Sequence, residues 1–288
     1  MKKHLKIAMQ KIQTLITVVT TIFSIYAASI AILLINDRLK MMLTIIPLII
    51  SFVLLVIIYV IELIKIIHLN KLTLTFGTSK VNIYYGDIFS NQNQGYKVIA
   101  FNENYDTITA NDEHVIDKNS LHGIYLDKHY PTKNSRNEFH KSVLEKLSAY
   151  RIEDKDCDRK GYKETFELGA IFEDNDYLLL SFTKFDKENK AHVKYSEMIT
   201  TFIKMWFNID KIKGNRKVYL PLIGSGITRF DDGDVSDYDI LLSLIETFRI
   251  SRVKFKYPAN VNIILYEKNT KIDLSLLKAR YELNKVKE

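Results

Sequence analysis

The most prominent pattern along the chain is a pair of long, uncharged, apolar runs near its start. No charged side chain occurs within residues 12–36, and residues 41–61 are also uncharged and rich in Leu, Ile and Val. About 20 apolar residues, rising about 1.5 Å each, cover a hydrocarbon core of about 30 Å, so each run is long enough to cross a bilayer. The link at 36–40 is too short for anything but antiparallel helices. We therefore expect residues 1–70 to form a two-span transmembrane hairpin and residues 71–288 to form a second domain.

Basic residues flank both runs and set the expected orientation of the hairpin. They are Lys2, Lys3, Lys6 and Lys11 before the first run, Arg38 and Lys40 in the link, and Lys65 and Lys71 after the second run. Because positive charge tends to stay in the cytoplasm, both ends of the hairpin are expected there, in an inner or plasma membrane. A cleaved signal peptide is the alternative for the first run, but that run is too long and leads directly into the second.

Small residues recur four positions apart in the first run, from Thr17 to Ala31. Such rows let helix backbones approach each other closely within a bilayer. The row either packs the hairpin on itself or forms a contact between protomers of a homo-oligomer, and both alternatives stay open.

From residue 72 onward, short β-rich runs alternate with amphipathic helical patterns. The predicted strands are Leu72–Phe76, Val81–Tyr85, Lys97–Phe101, Thr165–Phe172, Tyr177–Phe185, Val218–Ile223 and Val261–Tyr266, and the predicted helices are Glu138–Tyr150, Tyr195–Ile209, Ser236–Phe248 and Leu274–Lys285. The third helix has a clear start, because Ser236 and Asp239 form a capping-box pattern. This alternation predicts a sheet with helices packed on it, in an α/β/α layered domain.

The charge of the chain is concentrated in its first 70 residues. The net charge is +7, but residues 1–70 hold seven Lys or Arg and two acids, so the remaining 218 residues carry only +2. This distribution removes the main support for a nucleic-acid partner. Cys157, the only cysteine, lies in the polar stretch EDKDCDRKG, so neither a disulfide nor a metal site is expected.

Glycine is rare in this sequence and clusters at one position. Of ten glycines none precedes Gly77, yet two fall in the tripeptide Gly224-Ser225-Gly226. The segment VYLPLIGSGITRF places this tripeptide directly after a predicted strand and shortly before the capped helix. Glycines let the backbone approach an anion, and successive N–H groups form a concave nest for phosphate. A plain tight turn is the alternative interpretation.

Two further strand ends carry polar groups. The tetrapeptide GDIF, which contains Asp87 and Ile88, follows the strand VNIYY. An aspartate at the carboxyl end of a strand can accept a hydrogen bond from the exocyclic amine of a base, although a surface turn has the same sequence. The strand VIAFNEN ends in Asn102 and Asn104. These amides either contact sugar hydroxyls or cap their own loop.

In this order, GDIF, VIAFNEN and PLIGSGI resemble the motifs of the macro domain family, whose members bind ADP-ribose and its derivatives. The resemblance covers about residues 72–285 and implies a macro-like domain of three α/β/α layers with a mixed sheet. It also implies a binding role for particular residues: Asp87 and Ile88 for the adenine amine, Gly224, Ser225, Gly226 and Ile227 for the diphosphate, and Tyr266 beside the adenine.

The chain departs from the family at the distal end of the implied pocket. Family hydrolases have a glycine-rich loop after the Asn strand, whereas this chain has a longer insertion ending in NSLHG, which makes Leu121 and His122 candidate ligand contacts. A lone loop histidine is usually structural or solvated, and a catalytic role for His122 is the alternative. Arg229 stands where the family often has glycine and can reach a phosphate or carboxylate. We therefore expect ligand binding without cofactor, metal or catalytic residue, and an ADP-ribosyl hydrolase is the enzyme alternative.

A hairpin followed by such a domain resembles the membrane-macro effectors of the Thoeris anti-phage defence system. There a TIR-domain partner consumes NAD and makes an ADP-ribose-type signal, which the effector binds before it oligomerises, disrupts the membrane and kills the infected cell. The resemblance implies four partners: the lipid bilayer, the signal, the TIR-domain protein through its product, and further copies of the chain. A passive ADP-ribose-binding module is the remaining alternative.

Overall fold

The computed structural model describes residues 17, 20–26, 37–67, 69–109, 115–152, 159–266 and 272–285. They belong to two compact units, the first made of residues 1–72 with 273–288 and the second of Thr73–Ile272. The predicted domain boundary between residues 70 and 71 stays a prediction.

The described helices and strands are as follows. The helices are α1 (Asp37–Ile67), α2 (Leu121–His129), α3 (Lys133–Lys146), α4 (Tyr195–Ile212), α5 (Asp237–Ser251) and α6 (Leu274–Lys285), with a single 3₁₀ turn at Ser148–Tyr150. The strands are β1 (Lys71–Phe76), β2 (Ser79–Tyr85), β3 (Tyr96–Asn102), β4 (Arg151–Ile152), β5 (Thr165–Phe166), β6 (Ile171–Asp174), β7 (Tyr177–Phe185), β8 (Ala191–Val193), β9 (Val218–Pro221), β10 (Arg229–Phe230) and β11 (Val261–Leu265).

The first unit contains α1 and α6, and it contradicts the predicted transmembrane hairpin. Within the residues that the structure describes, no helix meets the length and hydropathy that a membrane span requires. The prediction rested on the uncharged length and apolar content of the two runs, and most of the first span, with Ala27, Ala28 and Ala31 of the small-residue row, lies outside the described residues. The predicted inner-membrane or plasma-membrane location is contradicted with it, and the predicted bilayer partner has no support. The helix α1 contains Pro47 and exposes many apolar side chains, Ile49 and Phe52 among them.

The second unit is built around a nine-stranded mixed sheet. Its order is β1-β2-β11-β9-β3-β7-β8-β10, with β6 also pairing with β7. The strands β2, β11, β9, β3 and β7 run parallel to one another, whereas β6 and β8 run antiparallel to β7. Parallel strands need both faces covered, and their sequences are accordingly apolar on both faces, as in the fully buried β11.

Helices cover the two faces of this sheet and give the predicted α/β/α layers. On one face the core contains Tyr125, Leu126 and Phe139 from α2 and α3 together with Ile99 and Phe101 of β3. On the other face α4 packs against α5 and against β6 and β7. The buried stripe of α4 includes Phe202, which stacks on Phe182 of β7, and Trp206, which meets Phe248 of α5 edge to face.

Most predicted elements of the second unit are present, but the short strands β4, β8 and β10 were not predicted, and other elements differ. The predicted strand Thr165–Phe172 is two short strands, β5 and β6, separated by a turn at Gly169. The predicted start of the first helix was five residues late, because Thr132 forms a capping box with Ser135. Helix α2 was not predicted, and its residues were assigned to a loop. At the start of α5, Ser236 accepts a hydrogen bond from the Asp239 N–H, as the capping pattern predicted.

Candidate functional site

Four neighbouring strands bring the predicted site residues to one edge of the sheet. β2, β11, β9 and β3 are adjacent and parallel, with Tyr85 level with Leu265 and Pro221 level with Ile264. The carboxyl ends of these strands therefore lie along one edge, which is where sheets of this kind bind ligands. The segments that follow the four strands carry Asp87, Tyr266, the Gly-Ser-Gly tripeptide and the two asparagines.

The segment after β9, residues 222–228, is here called the phosphate loop. It turns at Ser225, whose N–H and hydroxyl both donate to the carbonyl of Leu222, at 3.2 and 2.8 Å. Gly224 has φ +98°, and a Cβ there would lie 3.4 Å from Phe182 of β7. At Gly226 a Cβ would meet nothing within 4 Å, so this position faces open space.

Backbone donors of the phosphate loop are available to a ligand. Within the described part of the chain, no hydrogen bond occupies the N–H groups of Gly224, Gly226 and Ile227. The Ile227 side chain beside them is 57% exposed. Free backbone N–H groups on a sharp turn form the concave donor arrangement that binds phosphate.

A free cation stands at the end of this loop. Arg229 begins β10 and is exposed, and its guanidinium group makes no hydrogen bond or ion pair with any of the residues described. Guanidinium groups form bidentate hydrogen bonds with phosphates, so Arg229 suits an anionic ligand on the phosphate loop.

The predicted adenine contacts lie at the other end of the same edge. Asp87 is exposed, and its Oδ1 accepts a hydrogen bond from the Phe89 N–H at 2.9 Å. Its other oxygen, Oδ2, has no partner within the described part of the chain. Ile88 is only 4% exposed and packs in the core, whereas Tyr266 is 46% exposed. Asp87 and Tyr266 are therefore accessible, and Ile88 can contribute only its backbone.

The segment after β3, residues 102–107, is here called the Asn loop, and it turns its polar side chains inward. Asn102 and Asn104 are 1% and 3% exposed. The Asn104 amide donates to the carbonyl of Glu164 at 2.9 Å, and the Asn102 amide donates to Asp106 Oδ2 at 2.6 Å. Both amides therefore make hydrogen bonds within the protein: Asn102 to another residue of the loop, and Asn104 to the segment just before β5.

Sequence reasoning missed the centre of the Asn loop, which is Asp106. This fully buried carboxylate accepts hydrogen bonds from Asn102, from the Tyr162 N–H at 2.6 Å and from Arg159 Nη2 at 2.9 Å. Arg159 is itself buried, with 2% of its side chain exposed. A Cβ on Gly161 would lie 2.6 Å from Asp106 Oδ1, so only glycine fits there. That glycine, between Arg159 and Tyr162, was the one available signal.

His122 lies in the first turn of α2, which corrects its assignment to a loop. Its Nε2 is 2.9 Å from the backbone carbonyl of Asp106, and its ring lies against Phe101 with centroids 3.5 Å apart. Because a carbonyl only accepts, Nε2 carries the hydrogen. Burial lowers the pKa of His122 to about 3, so the ring is neutral near pH 7. Leu121 packs against the same core. His122 therefore supports the Asn loop from beneath, which is the structural alternative for this residue.

A cavity of about 350 Å³ lies between α4 and the segment around β5. Glu103 contributes to its wall, and the ion pairs Lys184–Glu197 and Lys204–Glu167 lie on its lining. None of the predicted ligand contacts lines this cavity, so it is distinct from the surface along the strand ends. Within the described residues no cluster of His, Cys, Asp or Glu is arranged to hold a metal ion, and Cys157 lies outside them.

The chain resembles known proteins in sequence. Residues 81–266 match the family described as "Thoeris protein ThsA, Macro domain". The chain is 34% identical over 258 residues to the Thoeris protein ThsA of Bacillus amyloliquefaciens (strain Y2), covering 89% of this chain and 84% of that protein.

Among solved structures, the Oceanobacillus iheyensis macrodomain with ADP is 10% identical, with a TM-score of 0.45 over 75% of this chain and 97% of that one. The same macrodomain with MES bound is 12% identical, with a TM-score of 0.46 over 75% and 98% of the two chains. The family match and the 34% identity over most of both sequences are the decisive similarities. The chain belongs to the Thoeris ThsA family and carries its macro domain.

Proposed function

We propose that this chain is an effector of Thoeris anti-phage defence whose macro domain senses an ADP-ribose-derived signal nucleotide. The signal is the product of a TIR-domain partner that consumes NAD, and the effector meets that partner only through this product. Ligand binding then favours an assembled, active form of the chain, because a ligand shifts a population only through its different affinity for two states.

The proposal rests on the free hydrogen-bond donors and the exposed positive charge of the phosphate loop. Among the described residues, three N–H groups without hydrogen-bond partners, an open position at Gly226 and the free cation Arg229 occur together at one strand end. A diphosphate would accept hydrogen bonds from these N–H groups and neutralise the charge of Arg229. Asp87 and Tyr266 are exposed along the same edge, where an adenine joined to that diphosphate would extend.

The hydrogen bonds of the Asn loop favour a protein that binds its ligand without hydrolysing it. A hydrolase needs a group that orients water at the distal ribose. His122 is buried, neutral and bonded to the backbone of Asp106, the Asn102 amide is bonded to Asp106, and the Asn104 amide is bonded to the carbonyl of Glu164. These three candidates are therefore occupied by structural contacts, which supports a sensor in preference to an ADP-ribosyl hydrolase.

The first test is the substitution Gly226→Glu, measured as calorimetric binding of ADP-ribose to the full-length chain. The position is open and its φ lies outside the left-handed region, so the new side chain fits without displacing neighbours. Its carboxylate would stand among the phosphate-binding N–H groups and repel the diphosphate. We expect affinity to fall by at least about a hundredfold, because bringing like charges together in a binding interface costs several kcal/mol.

The matched control is Gly226→Gln, which adds the same bulk without charge. Its affinity is expected to fall much less, and both variants are expected to unfold at the wild-type temperature. If Gly226→Glu bound ADP-ribose with wild-type affinity, the phosphate loop would not be part of the binding site. Conversion of an ADP-ribose ester to free ADP-ribose by the wild-type chain would instead make the protein a hydrolase.

A further inference from the structure

The far end of the phosphate loop is attached to the sheet by very little backbone. The loop leaves β9 and rejoins the sheet only at β10, whose two residues pair with β8 in the register Arg229 to His192 and Phe230 to Val193. Strands this short contribute few hydrogen bonds, so side chains have to hold the segment in place.

His192 supplies such a contact, since it lies between two carboxylates. Its Nδ1 is 2.7 Å from Asp231 Oδ1, directly after β10, and its Nε2 is 3.0 Å from Asp186 Oδ2, in the turn between β7 and β8. An ionised carboxylate can only accept hydrogen bonds, so both ring nitrogens must carry hydrogen. The geometry therefore requires the imidazolium form of His192.

Both carboxylates are themselves fixed. Asp186 Oδ1 accepts from the N–H groups of Glu188 and Lys190 at 3.0 and 2.8 Å. Slight burial acts to raise the pKa of Asp186, but the Lys190 N–H and His192 outweigh it and the net pKa lies below the usual value. On the other side, the Asp231 N–H donates to the carbonyl of Val193 at 3.2 Å.

The remaining charges around His192 are few. Its register partners are Lys184 on β7 and Arg229 on β10, and Lys184 forms an ion pair with Glu197 of α4. Asp232 is held by the Tyr195 N–H at the start of α4. Lys184 is thus paired with Glu197, and the Arg229 side chain forms no ion pair among the described residues.

We infer that His192 is a positioning residue for the phosphate loop: as an imidazolium it ties the end of that loop, through Asp231, to the β7–β8 turn. The clamp holds the loop in the form that binds phosphate, so its loss lowers ADP-ribose affinity. The ligand part of this inference rests on the proposed function, whereas the clamp itself does not.

The test is calorimetry of ADP-ribose with the full-length chain. We expect the affinity of His192→Asn to be about tenfold below that of wild type, because Asn cannot bridge both carboxylates and two charge-assisted hydrogen bonds are lost. His129→Asn is the matched control and should keep the wild-type affinity. Wild-type affinity in His192→Asn overturns the inference.

A second measurement separates this inference from the proposed function. Amide hydrogen exchange of residues 222–232 without ligand should be faster in His192→Asn than in wild type. Equal exchange in the two proteins overturns the clamp, whatever the ligand does. Absence of ADP-ribose binding in both proteins, with the exchange difference present, overturns the proposed function and leaves the clamp standing.

Discussion

The Asn loop and the phosphate loop follow neighbouring strands, β3 and β9, yet their polar groups point in opposite directions. In the Asn loop the amides of Asn102 and Asn104 are buried and bonded to the protein. In the phosphate loop the free donors are backbone N–H groups, and a Cβ at Gly226 would meet open space. A polar side chain at a strand end is therefore no guide to ligand contact on its own, because buried amides must be satisfied internally.

The difference comes from what covers each loop. The segment 159–166 lies over the Asn loop and brings Arg159 and the Tyr162 N–H to Asp106. The phosphate loop instead runs to the edge strand β10, where no described segment covers Gly226 or Ile227. One loop is consequently part of the fold, and the other is free to bind.

The largest expected effect is on stability, from Asp106→Ala in the Asn loop. The substitution leaves Arg159 as a buried cation without its carboxylate and removes acceptors from Asn102 and the Tyr162 N–H. Breaking a buried, hydrogen-bonded ion pair costs about 3–5 kcal/mol. Urea-induced unfolding of the full-length chain measures the loss.

The control for this prediction is Asp87→Ala, at the exposed end of the same sheet edge. Asp87 accepts one backbone hydrogen bond, from Phe89. Its loss should cost no more than about 1 kcal/mol of stability. If the two variants lost similar amounts of stability, the Asn loop and the exposed sheet edge would not differ in their structural role.

Much of this arrangement could be predicted from the sequence. The order of the motifs and the apolar strands place Asp87, Gly224 and Tyr266 at strand ends, because parallel strands share an edge. The pair Asp106–Arg159 could not be predicted, since its members are far apart in sequence and neither stands in a recognisable pattern. Helix α2 was missed for a different reason. Its short sequence LHGIYLDKH contains a glycine and has no apolar stripe, so only the tertiary contacts of Tyr125 and Leu126 with the core make it a helix.

A smaller effect is expected from acid, through His122 beneath the Asn loop. Burial lowers its pKa to about 3 in the folded chain, below the usual value of about 6.5 in an unfolded one. The unfolded state therefore binds the proton first, and stability is complete above about pH 6.5 and is lost as pH falls toward 3.

The corresponding variant is His122→Gln, which keeps a donor for the Asp106 carbonyl and cannot titrate. Between about pH 6.5 and pH 5 the wild type should lose up to about 1.4 kcal/mol per pH unit, or about 2 kcal/mol in total. The variant should lose correspondingly less in urea unfolding at the two pH values. An identical acid dependence in both proteins would mean that the ring is not held neutral by the fold.

The smallest effect, Asn104→Ala, decides most sharply between the two roles of the Asn loop. Its amide donates to the Glu164 carbonyl and to Thr165 Oγ1, so truncation should cost about 1 kcal/mol of stability. If the side chain serves only the loop, the affinity for ADP-ribose should stay within about twofold of wild type. Arg229→Ala is the opposite case, because an exposed cation without a partner in the described chain should change affinity by about tenfold and leave stability unchanged. A tenfold loss of affinity in Asn104→Ala would mean that this amide contacts the ligand, which is the other of its two predicted roles. The Asn loop would then contribute both to the stability of the fold and to the binding site, together with the phosphate loop.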